Sequence, residues 1–286
     1  MKLGNCLAIV LVLFLVNAVA EADDTCNYSS LTGKEFQLRE RSESLQKYGY
    51  QGWKKEPDLL GKQLFYEDYA GKKGKIQEKQ IEARYGFPWY VAILETCEKI
   101  YTDAGTRSRP GSVEDLENHT GIYFLDTLRQ AESLSGKKIW VNMTGVLSDL
   151  ELFTDDPNQK YPLAHLETLE ITGLNTKQIG HGRGAGPLYL VVKKETGEKG
   201  YLAFNDLYFF LANPIDPKWD KATAEIIKQR KIKLGMSEQQ LLLSWGKPER
   251  INKTVGSSGV HEQWVYGLGQ YVYMQNGKLT SFQSSR

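Results

Sequence analysis

Hydrophobic positions follow distinct layouts along the chain, and each layout predicts a different kind of element. The first is an unbroken run, CLAIVLVLFLV, from Cys6 to Val16. It is short for a bilayer-spanning helix, which needs roughly 20 apolar residues, and it has the size of a signal-peptide core. Lys2 precedes it, and the small-residue sites Ala18-Val19-Ala20 and Ala20-Glu21-Ala22 follow, so cleavage is expected after Ala20 or Ala22. From Asp23 to about Ala83 the chain is polar but punctuated by Tyr48, Tyr50, Trp53, Phe65, Tyr66 and Tyr69. Disordered tails lack aromatics, so this segment is expected to be ordered, wrapping the next domain without a core of its own.

Beyond Tyr85 the pattern changes. In IYFLDTLRQAESL, Ile122, Leu125, Leu128 and Leu134 recur at a loosely helical period, and Gly136 ends it. Strand-like runs follow: KKIWVNMTGV, LETLEITGL, LYLVVKKETGEKGYLAF and LYFFLAN. In the third, Leu188–Val192 and Gly200–Phe204 flank Glu195-Thr196-Gly197-Glu198, a short Gly-bearing turn that predicts a hairpin. Short strands with such turns point to a small antiparallel β barrel or sandwich.

NPIDPKWD, Asn213 to Asp220, marks the next boundary. KATAEIIKQRKIKLG offers Ala224 and Ile227 to one helical face before Gly235 stops the helix. A second helix opens at Ser237, with Gln240 three residues on in the capping-box arrangement; Leu241, Leu242 and Trp245 supply its apolar face. Gly246 suits the exit and Pro248 prevents continuation. Three strands are then expected, Gln263–Tyr266, Gln270–Gln275 and Lys278–Gln283, the last two joined by Asn276-Gly277. The fold class expected is therefore α+β. It comprises a signal peptide (1–20), a polar aromatic-bearing segment (21–84), a β-rich middle domain (85–216) and a C-terminal ααβββ two-layer domain (217–286).

Composition changes this picture little. With 41% apolar and 25% charged residues and a net charge of +1, the whole chain is ordinary for a globular protein, and near-neutrality argues against nucleic acid as the main partner. The stretch AGKKGKIQEKQIEARYG, Ala70 to Gly86, is locally basic and reads as a solvated linker. No second long apolar run follows the signal. Of three cysteines Cys6 leaves with the signal; Cys26 and Cys97 remain, and an oxidising compartment would join them in a disulfide. A lipid-attachment site is not expected, because Cys6 precedes the apolar core and Cys26 follows acidic residues.

Candidate chemistry is sparse. GHGRGAGP, Gly180 to Pro187, has the glycines, His181 and Arg183 that an anion-binding loop would use, but it lies between strand-like runs and lacks the phosphate-loop signature. Asp149, Glu151, Asp155 and Asp156 cluster in a Pro/Asn-bearing turn without the alternating ligands of a calcium loop. The histidines, His119, His165, His181 and His261, have no metal-site spacing. Four N-x-[ST] sequons, at Asn27, Asn118, Asn142 and Asn252, do not decide the host. No catalytic residue, metal site or cofactor is therefore expected. The rival reading is an envelope hydrolase using His181, Arg183 and nearby carboxylates, or a barrel that binds peptidoglycan or a small ligand.

The strongest motif evidence is GMSEQQLLLSWGKPERIN with EQWVYG and YVYMQNGKLTSFQ. In order and content these resemble the SmpA/OmlA (BamE-like) module of bacterial envelope proteins; Gly235, Met236, Ser237, Gly246 and Pro248 match its pattern, and Trp245 stands where an aliphatic residue is usual. The hairpin around VVKKETGEKGYLAF resembles bacterial Src-homology-3-like barrels. The first resemblance covers about the last quarter of the chain and implies a non-enzymatic, periplasmic role among other envelope proteins, with no catalytic residue. The absent lipobox and the large N-terminal portion depart from the family. Candidate contact residues are the aromatics of the C-terminal meander: Trp264 and Tyr266 share one face, as do Tyr271 and Tyr273, and one set must pack on the helices.

Overall fold

The computed structural model describes residues 31–58, 61–81, 88–102, 117, 120–144, 150–156, 158–177, 187–257, 259–267 and 269–283. Among them the chain is mostly antiparallel β-sheet, curled into half-barrels, with a few short helices. No described helix is long and apolar enough to cross a membrane.

The first sheet contains β1 (Glu35–Leu38), β2 (Tyr50–Lys54), β3 (Gln63–Leu64), β4 (Lys73–Ile81), β5 (Pro88–Leu94), β6 (Lys99–Thr102) and β7 (Ile122–Phe124), in the order β3-β2-β6-β5-β4-β1-β7. Helices α1 (Glu43–Gln46) and α2 (Tyr66–Tyr69) are single turns in its connections. This corrects the reading of the polar segment as a wrapper. Phe36, Tyr50, Trp53, Leu64 and Tyr69 are buried with Ile76, Tyr90, Ala92 and Ile100 in one core, and Phe36 stacks on Trp53 at 5.3 Å between ring centroids. In β1 the polar Glu35 and Gln37 alternate with the buried Phe36 and Leu38. The linker reading of Ala70–Gly86 is corrected likewise, since most of it is β4. Ile122–Phe124 is also a strand, and the helix α3 begins only at Leu125 and runs to Glu132.

The second sheet contains β8 (Lys138–Val141), β9 (Glu151–Phe153), β10 (Lys160–Pro162), β11 (Thr168–Asn175), β12 (Tyr189–Lys194), β13 (Lys199–Ala203) and β14 (Phe209–Phe210), in the order β10-β9-β13-β12-β11-β8-β14. The predicted hairpin is β12–β13, with Gly197 at φ 106°. Asp155 and Asp156 lie in the turn between β9 and β10.

Strand for strand, the second sheet repeats the first. Each long strand carries a register shift at the same place, Ile76/Glu78 in β4 and Ile171/Gly173 in β11. Just before the first strand of each sheet, a glycine at positive φ donates its N–H to that sheet's long strand at 2.8 Å, Gly33 to Ile76 O and Gly136 to Ile171 O. The turns match in sequence, Glu95-Thr96-Cys97-Glu98-Lys99 against Glu195-Thr196-Gly197-Glu198-Lys199, and Cys97 takes the positive φ, 64°, that Gly197 supplies in the repeat.

The last strand of each repeat joins its sheet to the next unit by simple alternation. In β7, Ile122 and Phe124 belong to the first core, whereas Tyr123 belongs to the second with Leu128, Ala131 and Leu134 of the α3 region. In β14, Phe209 belongs to the second core and Phe210 packs on the third. Arg39 reinforces the first joint: its guanidinium lies 3.7 Å from the Tyr123 ring centre and donates to Ile122 O at 2.7 Å. Burial lowers its pKa to about 10.

The C-terminal unit has helices α4 (Lys221–Lys228) and α5 (Glu238–Trp245) and a four-stranded meander, β15 (Arg250–Gly256), β16 (Gly259–Tyr266), β17 (Gln270–Gln275) and β18 (Lys278–Gln283). The sheet thus has four strands where three were expected; β15, exposed along its length, is the addition. Exposure deprives an edge strand of the alternating burial that makes strands visible in sequence.

Candidate functional site

The C-terminal meander is built from local signals. Asp220 caps α4 by accepting from Thr223 N–H at 2.8 Å. Ser237 and Gln240 form the reciprocal capping box of α5. Gly235 and Met236 then lie beside β18, with Gly235 N–H donating to Leu279 O and Leu279 N–H to Met236 O, both at 2.8 Å. The buried face of α5 is Leu241, Leu243 and Ser244, so Leu243 takes the place expected of Leu242; Leu242 and Trp245 are half-buried. In α4, Ile227 is buried as expected, with Thr223 in place of Ala224. Asn276 and Gly277 have φ of 49° and 75°, the positive pair their turn requires.

Gly246 ends α5 at φ 84°, ψ −168°, a backbone region open essentially to glycine. A Cβ there would stand 2.8 Å from Thr144 O, so the helix end rests directly on the loop after β8. Pro248 is half-buried beyond it.

The structure decides which aromatic pair faces the helices. Trp264 and Tyr266 are buried with Ile227, Met236, Leu241, Val272, Met274 and Leu279. Tyr266 donates to Gly246 O at 3.1 Å and packs edge-on against Trp245. Burial raises its phenol pKa. Trp264 Nε1 donates to Glu262 at 3.0 Å, and Lys253 pairs with the same carboxylate at 3.0 Å. These two donors, the indole first, hold Glu262 below the usual carboxylate range. Of the four candidate contact residues, then, Trp264 and Tyr266 are scaffold.

Tyr271 and Tyr273 lie half-buried on the opposite face. Directly paired residues share a face, so the register places them with three rows: Arg250, Val265, Tyr271 and Gln283; Asn252, Gln263, Tyr273 and Ser281; Thr254, His261, Gln275 and Lys278. Side chains link across all four strands. Asn252 donates to Gln263 at 2.9 Å, Gln263 to Tyr273 OH at 3.2 Å, and Tyr273 to Gln283 at 3.2 Å. This ladder ties amides and a phenol of one face together, and each amide has further hydrogen-bonding capacity beyond these bonds. Sequence reasoning missed Asn252, Gln263 and Gln283; cross-strand register is the signal that finds them.

The other predicted positions fall apart. Cys97 is exposed at the β5–β6 turn, and Cys26 lies outside the described residues. His181 and Arg183 also lie outside them, as do His119 and Asp149. Tyr201 OH donates to Asp155 at 2.9 Å, and Glu151 pairs with Lys160, so these carboxylates are engaged in the β9–β10 region. Asn142, one of the sequons, donates to Leu207 O and accepts from Thr144, tying β8 to the approach of β14. His165 is buried; it bridges the second sheet to α5. Compared with protein-family models and with curated proteins, the chain matches none of either.

Proposed function

We propose that this is a non-enzymatic, secreted protein of the bacterial periplasm that binds another component of the cell envelope through the outer face of its C-terminal sheet. The single observation that carries the reading is the asymmetry of that sheet. One face is sealed by helices through Trp264 and Tyr266, while the other presents Tyr271, Tyr273 and a preformed row of hydrogen-bonding groups to solvent. Half-exposed tyrosines on a rigid strand lose little side-chain freedom on contact, which suits an interface anchor. The resemblance of residues 235–283 to the SmpA/OmlA module and the signal-like run Cys6–Val16 support the compartment. On this reading the two repeated sheets are Src-homology-3-like barrels that carry the docking module.

The test is photo-crosslinking in intact cells, with a photoreactive residue at Tyr271, Tyr273 or Arg250. Capture of an envelope component from these positions is expected. The reading fails if none of the three captures one.

A further inference from the structure

We infer that the outer face of β15–β18 recognises a carboxylate-bearing polysaccharide. This names the partner chemistry of the docking face proposed above and rests on that reading.

Charge supplies the first observation. The whole chain has a net charge of +1, yet residues 217–286 hold eleven lysines and arginines against five aspartates and glutamates, a surplus of six positive charges. Within the sheet strands Glu262 is the one carboxylate, and its register opposite Lys253 and Met274 puts it on the helix side. Among the described residues of the strands the outer face therefore carries no carboxylate, while Arg250 and Lys278 occupy opposite corners. Such a surface attracts anions and would repel a cationic partner.

The second observation is the chemistry between those corners. Side-chain amides of Asn252, Gln263, Gln275 and Gln283 alternate with the Tyr271 and Tyr273 rings, which stand about 7 Å apart along one strand. A protein interface buries an apolar centre, and Val265 is the only aliphatic side chain in these rows. A sugar ring instead offers hydroxyls that both donate and accept, matching amides and phenols, and an apolar C–H face that lies on an aromatic ring. Carboxylates on the polymer would meet Arg250 and Lys278.

The experiment is titration of the full chain with alginate, neutral dextran and poly-L-glutamate. Alginate should bind, dextran and poly-L-glutamate at least about tenfold more weakly, and alginate binding should weaken when salt rises from about 0.05 M to about 0.5 M. Arg250→Gln with Lys278→Gln should weaken alginate binding about tenfold. Tyr271→Ala should weaken it about fivefold, with the melting temperature unchanged. Absence of alginate binding, poly-L-glutamate binding as tightly, or alginate affinity unmoved by these surface variants overturns the inference. Crosslinking from Tyr271 separates the two claims. If it still captures an envelope component while alginate does not bind, the polysaccharide assignment fails and the docking face stands; if both are absent, both fail.

Discussion

His165 Nε2 lies 2.8 Å from the carbonyl oxygen of Leu243, while Nδ1 of the same ring accepts the backbone N–H of Met143 at 3.2 Å. One buried imidazole thus spans the second repeat and the last turn of α5. The two contacts require a neutral ring with its proton on Nε2, because Nδ1 faces a donor.

That arrangement makes the joint acid-sensitive. Burial lowers the His165 pKa below its ordinary value of 6.5, with Arg230 adding to the effect and the Leu243 carbonyl opposing it. The neutral form is favoured in the fold, so this stability is fully present above about pH 6.5 and is lost as pH falls toward the lowered pKa. Melting temperatures measured between pH 7.5 and pH 5 should fall more steeply for the native chain than for His165→Leu. Parallel slopes would show that the ring does not couple the units.

Gly246→Ala should destabilise the chain by about 2–3 kcal/mol in denaturant unfolding, since the backbone region is strained for alanine and the new methyl meets Thr144 O. Gly173→Ala, where the same methyl would meet no atom within 4 Å, should cost less than about 1 kcal/mol.

The two aromatic pairs should separate cleanly in the same assay. Trp264→Ala removes a fully buried indole and should cost about 3–5 kcal/mol, whereas Tyr271→Ala should stay within about 1 kcal/mol. Equal losses would contradict the assignment of faces.

Cys97 and Gly197 hold the same turn position in the two repeats, both at positive φ. Under reducing conditions Cys97→Gly should stabilise by about 0.5–1 kcal/mol, and Gly197→Cys should destabilise by about 1–2 kcal/mol. Opposite signs for the two exchanges are the measurable outcome.

Elements set by short-range chemistry were legible in the residues. Ser237 and Gln240 satisfy each other's backbone amides within one turn, Asn276-Gly277 accepts positive φ, and Glu195 to Glu198 closes a hairpin; each depends on neighbours in sequence. The repeat was also legible, in LTGKEFQL against LSGKKIWV and ETCEK against ETGEK, once those stretches are compared. Without that comparison the aromatic N-terminal segment resembles a wrapper, because its buried residues are scattered among polar ones and partner strands up to Phe124 complete its core.

By itself, then, the sequence determined the caps, the turns, the hairpins and the alternation that pairs Trp264 with Tyr266 and Tyr271 with Tyr273. Tertiary structure alone decided which pair meets the helices, that Tyr123 and Phe210 reach into neighbouring cores, and that His165 meets Leu243. The reason is physical: alternation gives two equivalent faces, and only the packing of α4 and α5 on one of them makes the sheet's inside different from its outside.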